Sequence, residues 1–160
     1  CTNSTTKGNY LNFTGTYDVI HFNYGLHDLD TAELVPPAQY ADNLAAIYAR
    51  LAPRARVVVW ATTTPCPNVT TSYGRSDALV REYNAAALAA LTAAAAAARA
   101  GSGGSGGKLV VDDLYAAVIG YCGVDYKACD LQKPANVHFE PKGCAFLGDH
   151  VVQSLLPFLR

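Results

Sequence analysis

Three short apolar runs, separated by two long segments with helical periodicity, set the strongest limit on how this chain can fold. The runs cover residues 17–23, 56–61 and 108–111, and β-branched and aromatic residues are frequent in them, as in buried strands. Strands that alternate with helices form a parallel sheet through right-handed crossovers, with helices on both faces. The sequence therefore predicts an α/β fold with three layers, α/β/α.

Local signals indicate where the helices begin and end. The first helix begins at Pro36 and Pro37, because proline suits a first turn, and it ends near Pro53. The second begins at an N-cap, Ser76, and continues through a tract of alanines, which favour the helix. A last helix is expected over residues 141–159.

A run of glycine and serine, residues 101–107, lies between the second helix and the third strand. Such a run cannot form a packed element and predicts a flexible loop. The chain has 160 residues, which is about the size of one domain. We therefore predict a single domain over residues 1–160 that contains this loop.

Composition excludes two classes of partner. The formal net charge is −1 and the basic residues are scattered, so no nucleic-acid surface is predicted. The longest apolar stretch, residues 85–98, is too short to cross a membrane. A hydrophobic fraction of 51% at this net charge is typical of a globular protein.

Polar residues crowd together directly after the first strand and again before the last helix. The first group contains Asn23, Gly25, His27 and Asp28, at the end of a strand where α/β sheets bind ligands. These residues could equally turn the chain and cap the next element. His138, in the second group, is either a base that titrates near neutral pH or a structural residue that caps the last helix.

Together, these two stretches resemble the SGNH (GDSL-like) hydrolase family. The motif Gly-Leu-His-Asp at residues 25–28 stands where that family has Gly-x-Asn-Asp, and Asn-Val-His-Phe at 136–139 stands where it has Asp-x-x-His. Residues 57–65 and 111–115 are also similar, so the resemblance covers most of the chain. It implies a flavodoxin-like fold and ester hydrolysis by a serine nucleophile, with no cofactor and no metal.

The resemblance also implies roles for the polar residues. His138 would be the base that takes the serine proton, and His27 stands at the position of an oxyanion-hole asparagine. Asn23 and Gly25 are further candidates for contacts with the oxyanion or the substrate. Asp28 is expected to support this turn.

Two departures from the family pattern affect the catalytic machinery. No Gly-Asp-Ser triplet occurs in the 160 residues, and Ala135 stands where the family has the aspartate that orients the histidine. We expect the first strands and their serine in an upstream segment, or a partner chain that covers the exposed sheet edge. His138 would then be oriented by Asp112, Asp113, Asn136 or a backbone carbonyl.

Cysteines and glycosylation motifs favour an extracellular setting. Cys122 and Cys129 bracket a short loop that a disulfide could close, although two free thiols would also fit the spacing. Three Asn-x-Ser/Thr motifs could accept glycans in a secreted protein, at Asn3, Asn12 and Asn68. The remaining cysteines leave an odd count, so at least one is a free thiol or pairs outside this chain: Cys1, Cys66 and Cys144.

Two functional hypotheses follow. The leading one is an extracellular SGNH-like ester hydrolase or acyltransferase that acts on a small acyl ester, such as one on a carbohydrate. The alternative is a secreted glycoprotein module that keeps the fold for binding or assembly and has no catalytic activity. Ala135 and the absent Gly-Asp-Ser triplet favour the alternative.

Overall fold

The computed structural model describes residues 15–30, 34–66, 74–101, 106–123 and 129–159. In this part of the chain, three parallel strands form one sheet in the order β1-β2-β3. The strands are β1 (Tyr17–Phe22), β2 (Ala55–Ala61) and β3 (Lys108–Asp112). Each predicted strand is therefore confirmed to within one residue at either end.

Four α-helices occur among the described residues: α1 (Pro37–Leu51), α2 (Asp77–Gly101), α3 (Leu114–Cys122) and α4 (Pro141–Leu155). The predicted N-cap of α2 is confirmed, because the backbone N–H of Leu79 donates to Ser76 Oγ. Helices α1 and α4 each continue into a 3₁₀ turn with a proline in its first positions, Ala52–Arg54 and Leu156–Phe158. Proline cannot continue the α-helical hydrogen bonds, so both α-helices end there.

Helices α1 and α2 cover one face of the sheet. Side chains alternate between the faces of a strand, and the register places Ile20, Val58, Trp60 and Leu109 on this face. They pack with the two helices in the main hydrophobic core. The large buried side chains from the helices are Tyr40, Leu44, Tyr48, Leu51, Val80, Tyr83 and Leu91.

Helix α4 lies over the opposite face, which carries His21 and Asp112. His150 of α4 places Nε2 3.3 Å from the Asp112 carboxylate. Helix α3 packs beside α4 through the rings of Tyr121 and Phe146, whose centroids are 5.1 Å apart. The three-layer α/β/α arrangement predicted from the sequence is confirmed.

The glycine and serine run is structured at both ends. Gly101 is the last residue of α2. Gly107 donates its N–H to Ala52 O (2.8 Å) and accepts the Tyr48 hydroxyl on its carbonyl (2.6 Å). A Cβ at Gly107 would lie 2.5 Å from Ala55 O, so close packing requires glycine here. The loop prediction for residues 102–105 lies outside the described residues.

None of the described helices is both long and apolar enough to cross a membrane.

Candidate functional site

Asn23, directly after β1, ties the carboxyl ends of β1 and β2 together. Its Nδ2 group donates to the carbonyl oxygens of Ala61 (2.9 Å) and Thr62 (3.1 Å). The amide donor is therefore directed at the backbone of the neighbouring strand. To act as the oxyanion donor expected from the sequence, Asn23 would have to give up these bonds.

Gly25 allows the turn after β1 to press against β2 and α1. Its φ is +139°, and a Cβ would lie 2.2 Å from Thr63 Oγ1 and 3.0 Å from the Tyr40 hydroxyl. The same two hydroxyls donate to the carbonyl of Tyr24, at 3.0 Å and 2.8 Å. Only glycine fits this conformation and this space, so the motif at residues 25–28 is held rigidly at its first residue.

His27 and Asp28 follow in a turn that begins at Gly25. The N–H of Leu29 donates to Gly25 O, and the His27 side chain is exposed. Burial raises the pKa of the Asp28 carboxyl, an effect that backbone N–H groups of the turn and the neighbouring His27 partly offset. Asp28 is half-buried within this turn.

His138 lies on the return arm of a small hairpin before α4. Gln132 and Phe139 form an antiparallel bridge, and the N–H of Lys133 donates to His138 O (2.9 Å). The side chain of His138 is exposed. The structure therefore presents the imidazole on a braced loop, and not as a cap inside the helix that starts at Pro141.

Asn136 orients the His138 imidazole. Its Oδ1 accepts the backbone N–H of His138 (3.0 Å) and lies 2.6 Å from the ring Nδ1. Because an amide oxygen can only accept, Nδ1 carries the hydrogen and Nε2 is left as the proton acceptor. This is the tautomer that a general base of this kind requires.

The two carboxylates considered as orienters of His138 are engaged elsewhere. Asp113 is the N-cap of α3, where its Oδ1 accepts the N–H of Ala116 and the Thr62 hydroxyl, both at 3.0 Å. Asp112 bonds His21. Ala135 has a φ of +50°, a left-handed conformation in which aspartate and asparagine are more common than alanine.

One segment after β2 holds both polar loops. Thr63 bonds the turn after β1, and two residues later Pro65 O accepts the buried side-chain amide of Gln132 (2.9 Å) at the base of the His138 hairpin. Both loops are thus anchored at the carboxyl end of the sheet, where ligands bind in this class of fold.

A cluster that the sequence analysis did not identify lies on the α4 face of the sheet. Asp112, which is 1% exposed, binds His21 Nε2 through Oδ2 at 3.0 Å. His150 Nε2 is 3.3 Å from Oδ1, but without the alignment of a hydrogen bond. The two imidazoles therefore approach different oxygens of the same carboxylate. Among the described residues, no group of three or more His, Cys, Asp or Glu side chains is arranged to hold a metal ion.

The cysteine predictions are partly resolved. Cys122 and Cys129 form a disulfide with a Cα–Cα distance of 5.4 Å, which confirms that pairing. Cys144 is an exposed free thiol, whereas Cys66 is buried and its burial raises the pKa of the thiol. The remaining predictions, Cys1 and the three glycosylation motifs at Asn3, Asn12 and Asn68, lie outside the described residues.

Comparison with known proteins identifies the fold. No protein-family model matches the sequence, and no curated protein matches it either. The structure is similar to that of a lipase/acylhydrolase from Enterococcus faecalis, with a TM-score of 0.66 over 89% of this chain and 20% sequence identity. This chain spans 63% of the length of that protein. At this identity, the likeness establishes the α/β fold.

Proposed function

We propose that this chain belongs to an extracellular serine ester hydrolase or acyltransferase of the SGNH type. The observation that carries the proposal is the geometry of His138. Its Nδ1 is held by Asn136, which leaves Nε2 to act as a base at the carboxyl end of the sheet. The fold that this chain shares with a lipase/acylhydrolase supports the same assignment.

In this mechanism, His138 Nε2 takes the proton of a serine hydroxyl as the serine oxygen attacks the acyl carbon. The imidazolium then returns the proton to the leaving alcohol, and water or a second alcohol releases the acyl group. The His27 ring N–H and the backbone N–H of Gly25 stabilise the oxyanion. Asn23 and Asp28 brace the turn that carries them.

The serine comes from outside these 160 residues in this proposal. Strand β1 pairs only with β2 among the described strands, so its other edge is open to a further strand. A strand from an upstream segment or a partner chain could pair parallel to this edge. Its carboxyl end, with the serine that this proposal places there, would then lie beside the turn at Gly25. Small acyl esters, including those on carbohydrates, are the proposed substrates.

Hydrolysis of para-nitrophenyl acetate by the full-length protein tests this proposal. We expect His138→Ala to reduce kcat by at least about a hundredfold, the usual contribution of a general base. Lys133→Ala, an exposed residue on the same hairpin, is the matched control and should leave kcat nearly unchanged. Turnover that survives His138→Ala would remove this histidine from the mechanism.

Asn136→Asp provides a second and sharper test. A carboxylate on Nδ1 stabilises the imidazolium that forms when His138 takes the serine proton, so kcat should rise. Asn136→Ala should lower it, because the ring loses its orienting acceptor. Equal activity of all three forms would show that Asn136 does not position the base.

The alternative is a secreted glycoprotein module without catalytic activity. Ala135 favours it, because this alanine stands where the family that the chain resembles has the orienting carboxylate. This alternative predicts no ester turnover by the full-length protein despite an intact His138. The disulfide supports an extracellular setting in either case. Detection of N-linked glycans on the protein by mass spectrometry would establish that setting.

A further inference from the structure

The hairpin that carries His138 is closed by its own backbone. The N–H of Lys133 donates to His138 O (2.9 Å), and the N–H of Glu140 donates to Leu131 O (2.8 Å). These bonds fix the shape of the hairpin, but they do not fix where it lies relative to the sheet. A contact between the hairpin and the carboxyl end of the sheet is needed for that.

Gln132 makes such a contact at the base of the hairpin. The residue is 5% exposed, and its Nε2 group donates to Pro65 O at 2.9 Å across 67 positions of the chain. Pro65 is also buried. Water therefore cannot easily replace this hydrogen bond if the donor is removed, and the bond gives the contact a defined direction.

Pro65 belongs to a short segment that is itself held firmly. Two residues earlier, the N–H of Thr63 donates to Asn84 Oδ1 on α2, and its carbonyl accepts Asn84 Nδ2, both at 2.9 Å. Thr63 Oγ1 also donates to Tyr24 O in the turn after β1. Gln132 thus ties the hairpin to the same segment that holds the candidate oxyanion turn.

The Gln132 amide is only partly satisfied, which indicates a role other than stability. Its Oε1 is buried and has no hydrogen-bond partner among the described residues. An unpaired buried oxygen lowers stability. An apolar side chain of similar length would remove this oxygen but would leave Pro65 O without its donor. Because these two effects oppose each other, the amide gives the contact direction with little net gain in stability.

We propose that Gln132 is a positioning residue for His138. It holds the hairpin against the segment after β2, so that the imidazole Nε2 stays at the carboxyl end of the sheet. The role rests on the proposed ester hydrolysis, in which His138 is the base. Gln132 is buried and does not touch the substrate, so it acts on kcat through the hairpin and leaves KM unchanged.

Gln132→Met tests the role, because it keeps the length of the side chain and removes its donor. In hydrolysis of para-nitrophenyl acetate by the full-length protein, we expect kcat to fall at least about tenfold, since a base displaced by about 1 Å can cost a hundredfold. KM and the pH dependence should stay the same, because the substrate contacts and the base are unchanged. Gln153→Met, at an exposed position of α4, is the matched control and should keep full activity.

Urea unfolding separates positioning from a general loss of structure. One buried oxygen is unpaired in each form, Gln132 Oε1 before the substitution and Pro65 O after it, so the midpoint should change little. Unchanged kcat in Gln132→Met would overturn the positioning role. A variant that does not fold would overturn it too, because Gln132 would then serve the fold as a whole.

Amide hydrogen exchange tests the contact without any need for catalysis. Gln132→Met should speed exchange at Lys133 and Glu140, whose N–H groups close the hairpin, because a segment with fewer anchors opens more often. Faster exchange in a full-length protein without esterase activity would support the anchor and refute the proposed ester hydrolysis. Unchanged exchange would refute the anchor, whatever the activity.

Discussion

Asn136 orients His138 without supplying the charge that a carboxylate would add. Its Oδ1 fixes the ring through Nδ1, so the tautomer suits a base. The imidazolium formed during proton transfer is stabilised by the amide dipole alone and not by a full negative charge. Where a triad aspartate has been replaced by asparagine, the rate falls by about ten-thousand-fold, largely because the tautomer is wrong. Here the tautomer is correct, so we expect a smaller loss relative to an aspartate-bearing enzyme.

Asp28 gives a pH-dependent prediction at the scale of a single residue. Burial raises the pKa of its carboxyl above the ordinary value of 3.8, so the folded state binds the proton more tightly than the unfolded state. Its contribution to stability is complete below the ordinary pKa and is lost as the pH rises through the folded pKa. We expect Asp28→Asn, which stays uncharged, to gain stability relative to the unmodified protein as the pH rises from 3 to 7.

Urea unfolding at both pH values measures this difference. The asparagine oxygen can still accept the backbone N–H groups of the turn, so the comparison isolates the charge. A stability difference between the two proteins that is the same at pH 3 and at pH 7 would contradict the inferred effect of burial on Asp28.

Helix α4 provides a prediction at the scale of one element, because a single glycine sets how closely it packs. A Cβ at Gly143 would lie 2.1 Å from Leu131 O and 2.8 Å from Phe139 Cδ1, whereas a Cβ at Gly148 has nothing within 4 Å. We expect Gly143→Ala to lower the free energy of unfolding by about 1–3 kcal/mol through overpacking.

Gly148→Ala is the matched control in the same helix. The same substitution at an open site should raise stability by about 0.5–1 kcal/mol, because alanine favours the helix more than glycine does. Denaturant unfolding of both variants gives the comparison. Two changes of the same sign would show that Gly143 does not limit the packing of α4 against the His138 hairpin.

The elements could be predicted from the sequence because their signals are local. The Ser76 cap of α2 and the two prolines at the start of α1 act within one helical turn. The β-branched runs identify the strands whatever their partners in the sheet. The extent of α3 was not predicted, because its nine residues carry no helical alternation of apolar and polar residues.

The candidate site was less predictable, because its contacts join distant parts of the chain. The motif resemblance indicated His138 and the turn at Gly25, and Asn136 was among the possible orienters. The commitment of Asn23 Nδ2 to the backbone after β2 could not be read from sequence, since it depends on strand register. The same holds for His21 and Asp112, which are 91 positions apart and share a face only after β2 is inserted between them.

At the scale of the whole molecule, the two faces of the sheet are held by different interactions. The α1 and α2 face has a continuous apolar core, whereas α4 has one buried residue, Gly143. Leu156 and Val152 of this layer remain about half exposed. Val57, Val59 and Ala61 of β2 are buried on this face as well. The contacts of Asp112 with His21 and His150 add polar links from β3 to β1 and to α4.

Asp112→Ala should therefore destabilise the whole fold. The substitution leaves the His21 Nε2 group without its buried acceptor and removes the carboxylate beside His150, so we expect a loss of about 2–3 kcal/mol in the free energy of unfolding. Asp18→Ala is the control: Asp18 is 3.9 Å from Arg56 and its side chain is 82% exposed, so the loss should stay within about 0.5 kcal/mol.

Urea titrations followed by circular dichroism measure both losses, and similar values would mean that the buried carboxylate stabilises the sheet no more than a surface ion pair. A loss at Asp112 that persists unchanged in a His21→Ala, His150→Ala background would show that its effect does not pass through the histidines.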